Sequence, residues 1–167
     1  YTSHVPQITM VMLNIKSQDA PFLDNANVRR ALLLGLNRNF IIASLLQGEA
    51  IVANGPILPG SWAHYDAIER LGYDPEGAVQ LLKEEGYVIP ASGGTIRAKE
   101  NLALDFVMVH PDDVLHTQVA QAIQQQWAQI GVQAVDAWCA DFVNHRPGAG
   151  EPLASLLARC ASFIDEQ

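Results

Sequence analysis

From Leu102 onward the chain runs strand, turn, helix and strand in one passage, and few folds accept that order. "LALDFVMV", residues 102–109, alternates and then becomes continuously apolar, as a strand covered on both faces does. Asp112 or Asp113 is placed to cap the helix "VLHTQVAQAIQQQWAQIG". In that helix Val119, Ile123, Trp127 and Ile130 form one apolar stripe, and Gly131 supplies the stop. "VQAVDA" then reads as a second strand, "WCADFVNHRPG" as a short amphipathic helix and "PLASLLARCASF" as a final strand.

The first half repeats the alternation. "QITMVMLN", residues 7–14, is rich in β-branched and apolar residues and is expected to form a buried strand. Asp24 or Asn25 can cap a helix carrying Val28, Leu32 and Leu36, and Asn37 a second helix carrying Phe40, Ile41, Leu45 and Leu46 and ending at Gly48. "EAIVANGPILPGSWAHY" has prolines and glycines too closely set for a regular element and reads as an extended loop. "YDPEGAVQLLKEEGY" combines Asp74 as cap, Pro75 at the first helical position, Ala78, Leu81 and Leu82 on one face, and Gly86 as terminator. "ASGGTIRA" reads as a hairpin or a connecting loop. Together these segments predict an α/β fold with a mixed sheet flanked by helices, as a single domain over residues 1–167.

Composition narrows the functions. A net charge of −8, with Arg29–Arg30 the only adjacent basic pair, argues against a nucleic-acid partner, which needs clustered cations to displace counterions. The aliphatic runs are too short for the chain itself to insert into a membrane. Cys139 and Cys160 form neither a disulfide framework nor a CxxC pair.

The richest chemistry lies in "VMVHPDDVLH", residues 107–116. His110, His116, His145 and the cysteines do not have zinc-ligand spacing, and nothing resembles HExxH. No glycine-rich phosphate loop or nucleophile elbow is present, so neither a cofactor nor an enzyme activity is expected. Asp112 and Asp113 are adjacent, and capping explains them more simply than paired acid–base work does. A strand-end residue such as His110 is where α/β folds place ligand contacts.

"FLDNANVRRALLLGLNRNFIIASLLQGEA", "GPILPG", "YDPEGAVQLLKEEGY" and "VAQAIQQQWAQIGV", in that order, resemble the C-terminal lobe of the family-5 extracellular solute-binding proteins. These are the oligopeptide- and dipeptide-binding components of ABC importers. The resemblance implies one lobe of a type II periplasmic-binding-protein fold, opening just after one hinge crossing and stopping near the next. It implies a peptide or small-solute ligand held against a missing N-terminal lobe, an ABC permease as partner, and an extracytoplasmic location. A ligand-sensing regulatory module using the same lobe is the alternative.

The resemblance also carries site residues. His110, before Pro111, stands where dipeptide-binding relatives have a carboxylate-binding arginine, and His116 where oligopeptide-binding relatives place a histidine. On the last strand, "ARCASFIDE" puts Arg159 at a tryptophan position and Ser162 at the position of an aspartate that pairs with the peptide amino terminus. Asn14 lies near the hinge. Leaving a buried ammonium without its carboxylate typically costs about 3–5 kcal/mol, so Ser162 argues against a zwitterionic dipeptide as ligand.

Overall fold

Each helix of the segment before Gly86 starts on the residue type that best satisfies its unpaired amide groups. The computed structural model describes residues 7–65 and 67–139. The chain divides into two units, Tyr1–Glu85 and Gly86–Gln167, each described here by itself.

In the first unit a 3-10 turn, Pro21–Asp24, leads into α1, Ala26–Leu34. Asn25 caps α1, its Oδ1 accepting from the Asn27 and Val28 amides at 2.8 and 3.3 Å. Its Nδ2 donates to Glu85 Oε2 at 2.5 Å, while Asn27 donates to Oε1 of the same carboxylate at 2.6 Å. The start of α1 is thereby tied to the end of α3, Pro75–Glu84. These two helices bury Val28, Ala31 and Leu32 with Ala78 and Leu82, and each large side chain so buried contributes about 1.5–3 kcal/mol.

Helix α2, Arg38–Leu45, is capped by Asn37 as expected, but of its anticipated stripe Ile41 alone is buried and Phe40 is exposed. The described residues of 46–73 have no regular element, as the prolines and glycines predict. Arg38 pins this stretch at both ends, donating to the carbonyls of Ala53 at 3.0 Å and Leu71 at 2.6 Å. The adjacent basic pair is used locally: Arg29 donates to the Leu23 and Asp24 carbonyls, and Arg30 pairs with Glu69.

The second unit opens with a small antiparallel ladder of β1, Ala98–Lys99, and β2, Leu102–Ala103. β3, Asp105–Pro111, α4, Val114–Gln129, and β4, Gln133–Cys139, then form a parallel pair with a helical crossover, in register from Asp105 with Gln133 to Pro111 with Cys139. Ala120, Ile123 and Trp127 of α4 are buried, and the Trp127 ring meets Phe106 of β3 at a centroid distance of 5.5 Å.

Several expectations are corrected. The single run 102–109 divides at Leu104, whose amide donates to Arg97 and whose carbonyl accepts from Gln133, so the backbone changes partner there. Residues 7–14 form no strand with any described residue, and Met10, Val11 and Met12 are exposed. Trp138 and Cys139 continue β4 where a helix was expected to start; the rest of that segment, and the final strand expected at 153–164, lie outside the described residues. The strands among the described residues form two separate two-stranded sheets, one antiparallel and one parallel.

Candidate functional site

Parallel pairing brings the C-terminal ends of β3 and β4 together, and the chain leaves β3 at that edge to begin α4. This is the place where α/β folds meet ligands. His110, Pro111, Asp112, Asp113 and His116 all fall within this strand–turn–helix segment.

His110 is 8% exposed and lies on the same side of β3 as Met108 and Phe106, the side that α4 covers. Its Nδ1 is 2.8 Å from the Pro111 carbonyl oxygen. A carbonyl can only accept, so Nδ1 carries the proton and donates it. His110 is thus a packed residue that fixes the turn, whatever else it touches.

Asp113 rather than Asp112 is the cap. One carboxylate oxygen accepts from the His116 amide at 2.9 Å, and the other lies 2.6 Å from Nδ1 of the His116 ring. The Asp113 carbonyl in turn accepts from the Thr117 hydroxyl at 2.8 Å. The ring contact joins the side chains of the cap and of the third helical residue but satisfies no further backbone amide, unlike a capping box, in which the third residue accepts from the cap's own amide. The His116 amide, aided by its ring and by the Leu115 amide, holds the Asp113 carboxyl below the ordinary aspartate value, against a smaller opposing effect of burial.

That direction sets a pH dependence. The folded state binds the Asp113 proton more weakly than the unfolded state, so its contribution is present above the unfolded value near 3.8 and is lost as the pH falls through the lower folded value. Asp113→Ala is expected to lower the melting temperature at neutral pH and to do so by progressively less as the pH is taken below about 3.8, where wild type begins to lose the same interaction. Circular-dichroism melts at neutral pH and at a series of values below 3.8 check this; a gap that stays constant along the series would remove the carboxylate from the account.

Asn14 is exposed, and its Oδ1 accepts from the Lys16 amide at 3.1 Å, which commits one side of its amide to a local turn. It belongs to the first unit and the two histidines to the second. Arg159 and Ser162 lie outside the described residues. Among the described residues no group of three or more His, Cys, Asp or Glu side chains is placed to hold a metal ion. No described helix is long and apolar enough to cross a membrane.

The sequence reading assigned no role to the loop between α2 and α3, yet that loop lines an open surface pocket of about 220 Å³. Asn54, His64, Tyr65 and Arg70 line it together with Val52 and Ile68, and His64 Nδ1 lies 3.0 Å from the Ile57 carbonyl oxygen. The one visible signal was the pairing of aromatic and basic residues inside a stretch too irregular to assign faces.

The architecture matches that of solved binding proteins. The oligopeptide-binding protein AppA of Bacillus subtilis, solved with a nonapeptide, superposes with a TM-score of 0.70 at 25% identity, over 81% of this chain and 27% of that one. NikZ of Campylobacter jejuni, solved with Ni(L-His), does so with a TM-score of 0.68 at 29% identity, over 77% of this chain and 25% of that one. The class defined is a lobe of the type II periplasmic-binding-protein fold. Residues 1–136 match the bacterial extracellular solute-binding proteins, family 5 (middle part), and the chain belongs to that family. The dipeptide-binding protein of Escherichia coli K12 is 31% identical over 133 residues, 78% of this chain and 23% of the relative. The chain thus spans about a quarter of the length of the relatives it matches.

Proposed function

We propose that the chain is the ligand-contacting part of a substrate-binding component of an ABC importer, which captures a peptide or a related small solute and delivers it to permease subunits outside the cytoplasm. The observation that carries this reading is the family match over residues 1–136, together with relatives that are peptide-binding proteins. Function of this kind is capture without chemistry, and no catalytic step is assigned. A second lobe, supplied by the remainder of the protein, closes over the ligand and excludes water.

On this reading His116 contacts the ligand from the exposed start of α4, and His110 shapes the strand end from which α4 departs. Arg159, Ser162 and Asn14 complete the proposed contacts. Serine at the place where peptide-binding relatives carry an aspartate favours solutes whose recognition does not depend on an ammonium held by that carboxylate.

A thermal-shift screen of the full-length protein tests the proposal, with trialanine, dialanine, raffinose and Ni(L-His) as probes. A solute at about 100 times its dissociation constant adds about 2.7 kcal/mol to stability. The expected result is a clear shift with at least one probe, larger with raffinose or Ni(L-His) than with either peptide, whose free ammonium lacks the carboxylate that Ser162 replaces. A larger shift with dialanine or trialanine than with raffinose and Ni(L-His) would overturn the part of the reading that rests on Ser162.

A further inference from the structure

His116 and Asp113 stand three residues apart at the start of a sixteen-residue helix, and the contact between their side chains does something that capping alone does not require. A helix N-cap needs one acceptor oxygen for the amide two or three residues on. Asp113 meets that need with Oδ1, at 2.9 Å from the His116 amide. Its second oxygen, 2.6 Å from Nδ1 of the ring, is surplus to the cap.

An ionised carboxylate only accepts, so a close contact to Nδ1 requires the proton on that nitrogen. In the neutral ring Nε2 is then an unprotonated lone pair. Nε2 receives no hydrogen bond from the described residues, and the His116 side chain is 31% exposed. Of the other ionisable groups in this strand–turn–helix segment, His110 turns Nδ1 to the Pro111 carbonyl, and Asp112 makes no ion pair with a described residue. Asp113 is therefore the carboxylate that acts on the imidazole.

We infer that Asp113 is a positioning residue: it locks the neutral His116 ring in the Nδ1–H tautomer and aims Nε2 outward as a hydrogen-bond acceptor. The inference rests on the proposed role of His116 as a ligand contact and adds the chemistry of that contact. A fixed acceptor takes an N–H or O–H group of the solute, such as an amide or hydroxyl, and turns away a carboxylate unless the ring is protonated. Because the ring is held before the solute arrives, little of its rotamer entropy is lost on binding.

The test separates the tautomer from helix capping. Serine is as good an N-cap as aspartate, but its single oxygen cannot serve both the His116 amide and the ring. Nitrogen-15 NMR of the whole chain, with the His116 signals assigned from a His116→Gln spectrum, reads which ring nitrogen carries the proton at a pH where the ring is neutral. The expected result is Nδ1–H in wild type and a shift of population towards Nε2–H in Asp113→Ser, with the far-UV spectrum unchanged. An Nε2–H ring in wild type, or a tautomer that ignores the serine, overturns the inference.

A separate comparison of the thermal shift in wild-type and His116→Ala full-length protein addresses the ligand role, using whichever of trialanine, raffinose and Ni(L-His) shifts wild type most. Equal shifts there would remove His116 from the proposed contacts and leave the tautomer result standing. A smaller shift in the alanine variant supports the ligand role.

Discussion

Trp127→Ala is expected to remove about 3–5 kcal/mol of stability, more than any other single truncation among the described residues of the Gly86–Gln167 unit. Trp127 is 1% exposed and is the largest fully buried side chain among the described residues. It lies two turns after Ala120 on the buried stripe of α4, and its ring packs at a tilt against Phe106, 5.5 Å between centroids and 52° between planes. A tilted aromatic pair adds about 0.5–1.5 kcal/mol to the burial of its area. The cavity left by alanine cannot be refilled cheaply, because its walls are a helix and a strand fixed to each other by the crossover. Urea unfolding followed by far-UV circular dichroism measures the loss. Trp62, 98% exposed, is the control, and its alanine variant is expected to stay within about 0.5 kcal/mol of wild type. A loss below about 1 kcal/mol at Trp127 would mean that this ring does not hold α4 to β3.

What could be read from the sequence follows the range of the interactions involved. Caps are local, and Asn25, Asn37, Asp74 and Asp113 all accept the amide bonds their positions suggest. The stripe of α4 was equally plain, since helical spacing alone puts Ile123, Trp127 and Ile130 on one side. Strand pairing is nonlocal. Residues 7–14 have the composition of a strand, but composition does not supply a partner, and none of the described residues provides one. Leu104 shows the same limit from the other side, for nothing in "LALDFVMV" marks the residue at which the backbone exchanges one neighbour for another.

The site was legible in pieces. Asp113 was visible as a cap, and His116 was singled out through the family resemblance as a proposed contact, whereas the contact between the two side chains depends on a rotamer that spacing allows without dictating. Burial of His110 was hidden because alternation along β3 does not say which face α4 covers. Arg97 is the clearest omission. A lone arginine in a loop-like stretch gave no hint that it is 8% exposed and bonded to the end of α4.

That arginine makes Gly131→Ala the second substitution with a large expected effect, about 2–4 kcal/mol. Gly131 has φ +83°, and an L-residue held there costs about 1–2 kcal/mol. The conformation lets the Val132 amide return to the Trp127 carbonyl at 3.0 Å and so closes the helix. Space is a second obstacle, since an added Cβ would stand 2.7 Å from Arg97 Cγ and 3.1 Å from its Cδ and Nε. A flexible side chain would simply move, but Arg97 is tethered: Nε donates to the Ile130 carbonyl at 2.8 Å, and its amide donates to the Gly131 carbonyl at 2.8 Å. Moving it leaves a helix-end carbonyl unpaired beside a buried guanidinium, a loss of about 1–3 kcal/mol. The two causes separate in a double-mutant cycle with Arg97→Ala. If the collision matters, Gly131→Ala costs only about 1–2 kcal/mol once Arg97 is gone, leaving the backbone contribution. If the cost is the same in both backgrounds, the glycine is needed for its positive φ alone, and Arg97 adapts to a methyl group without giving up its hold on α4.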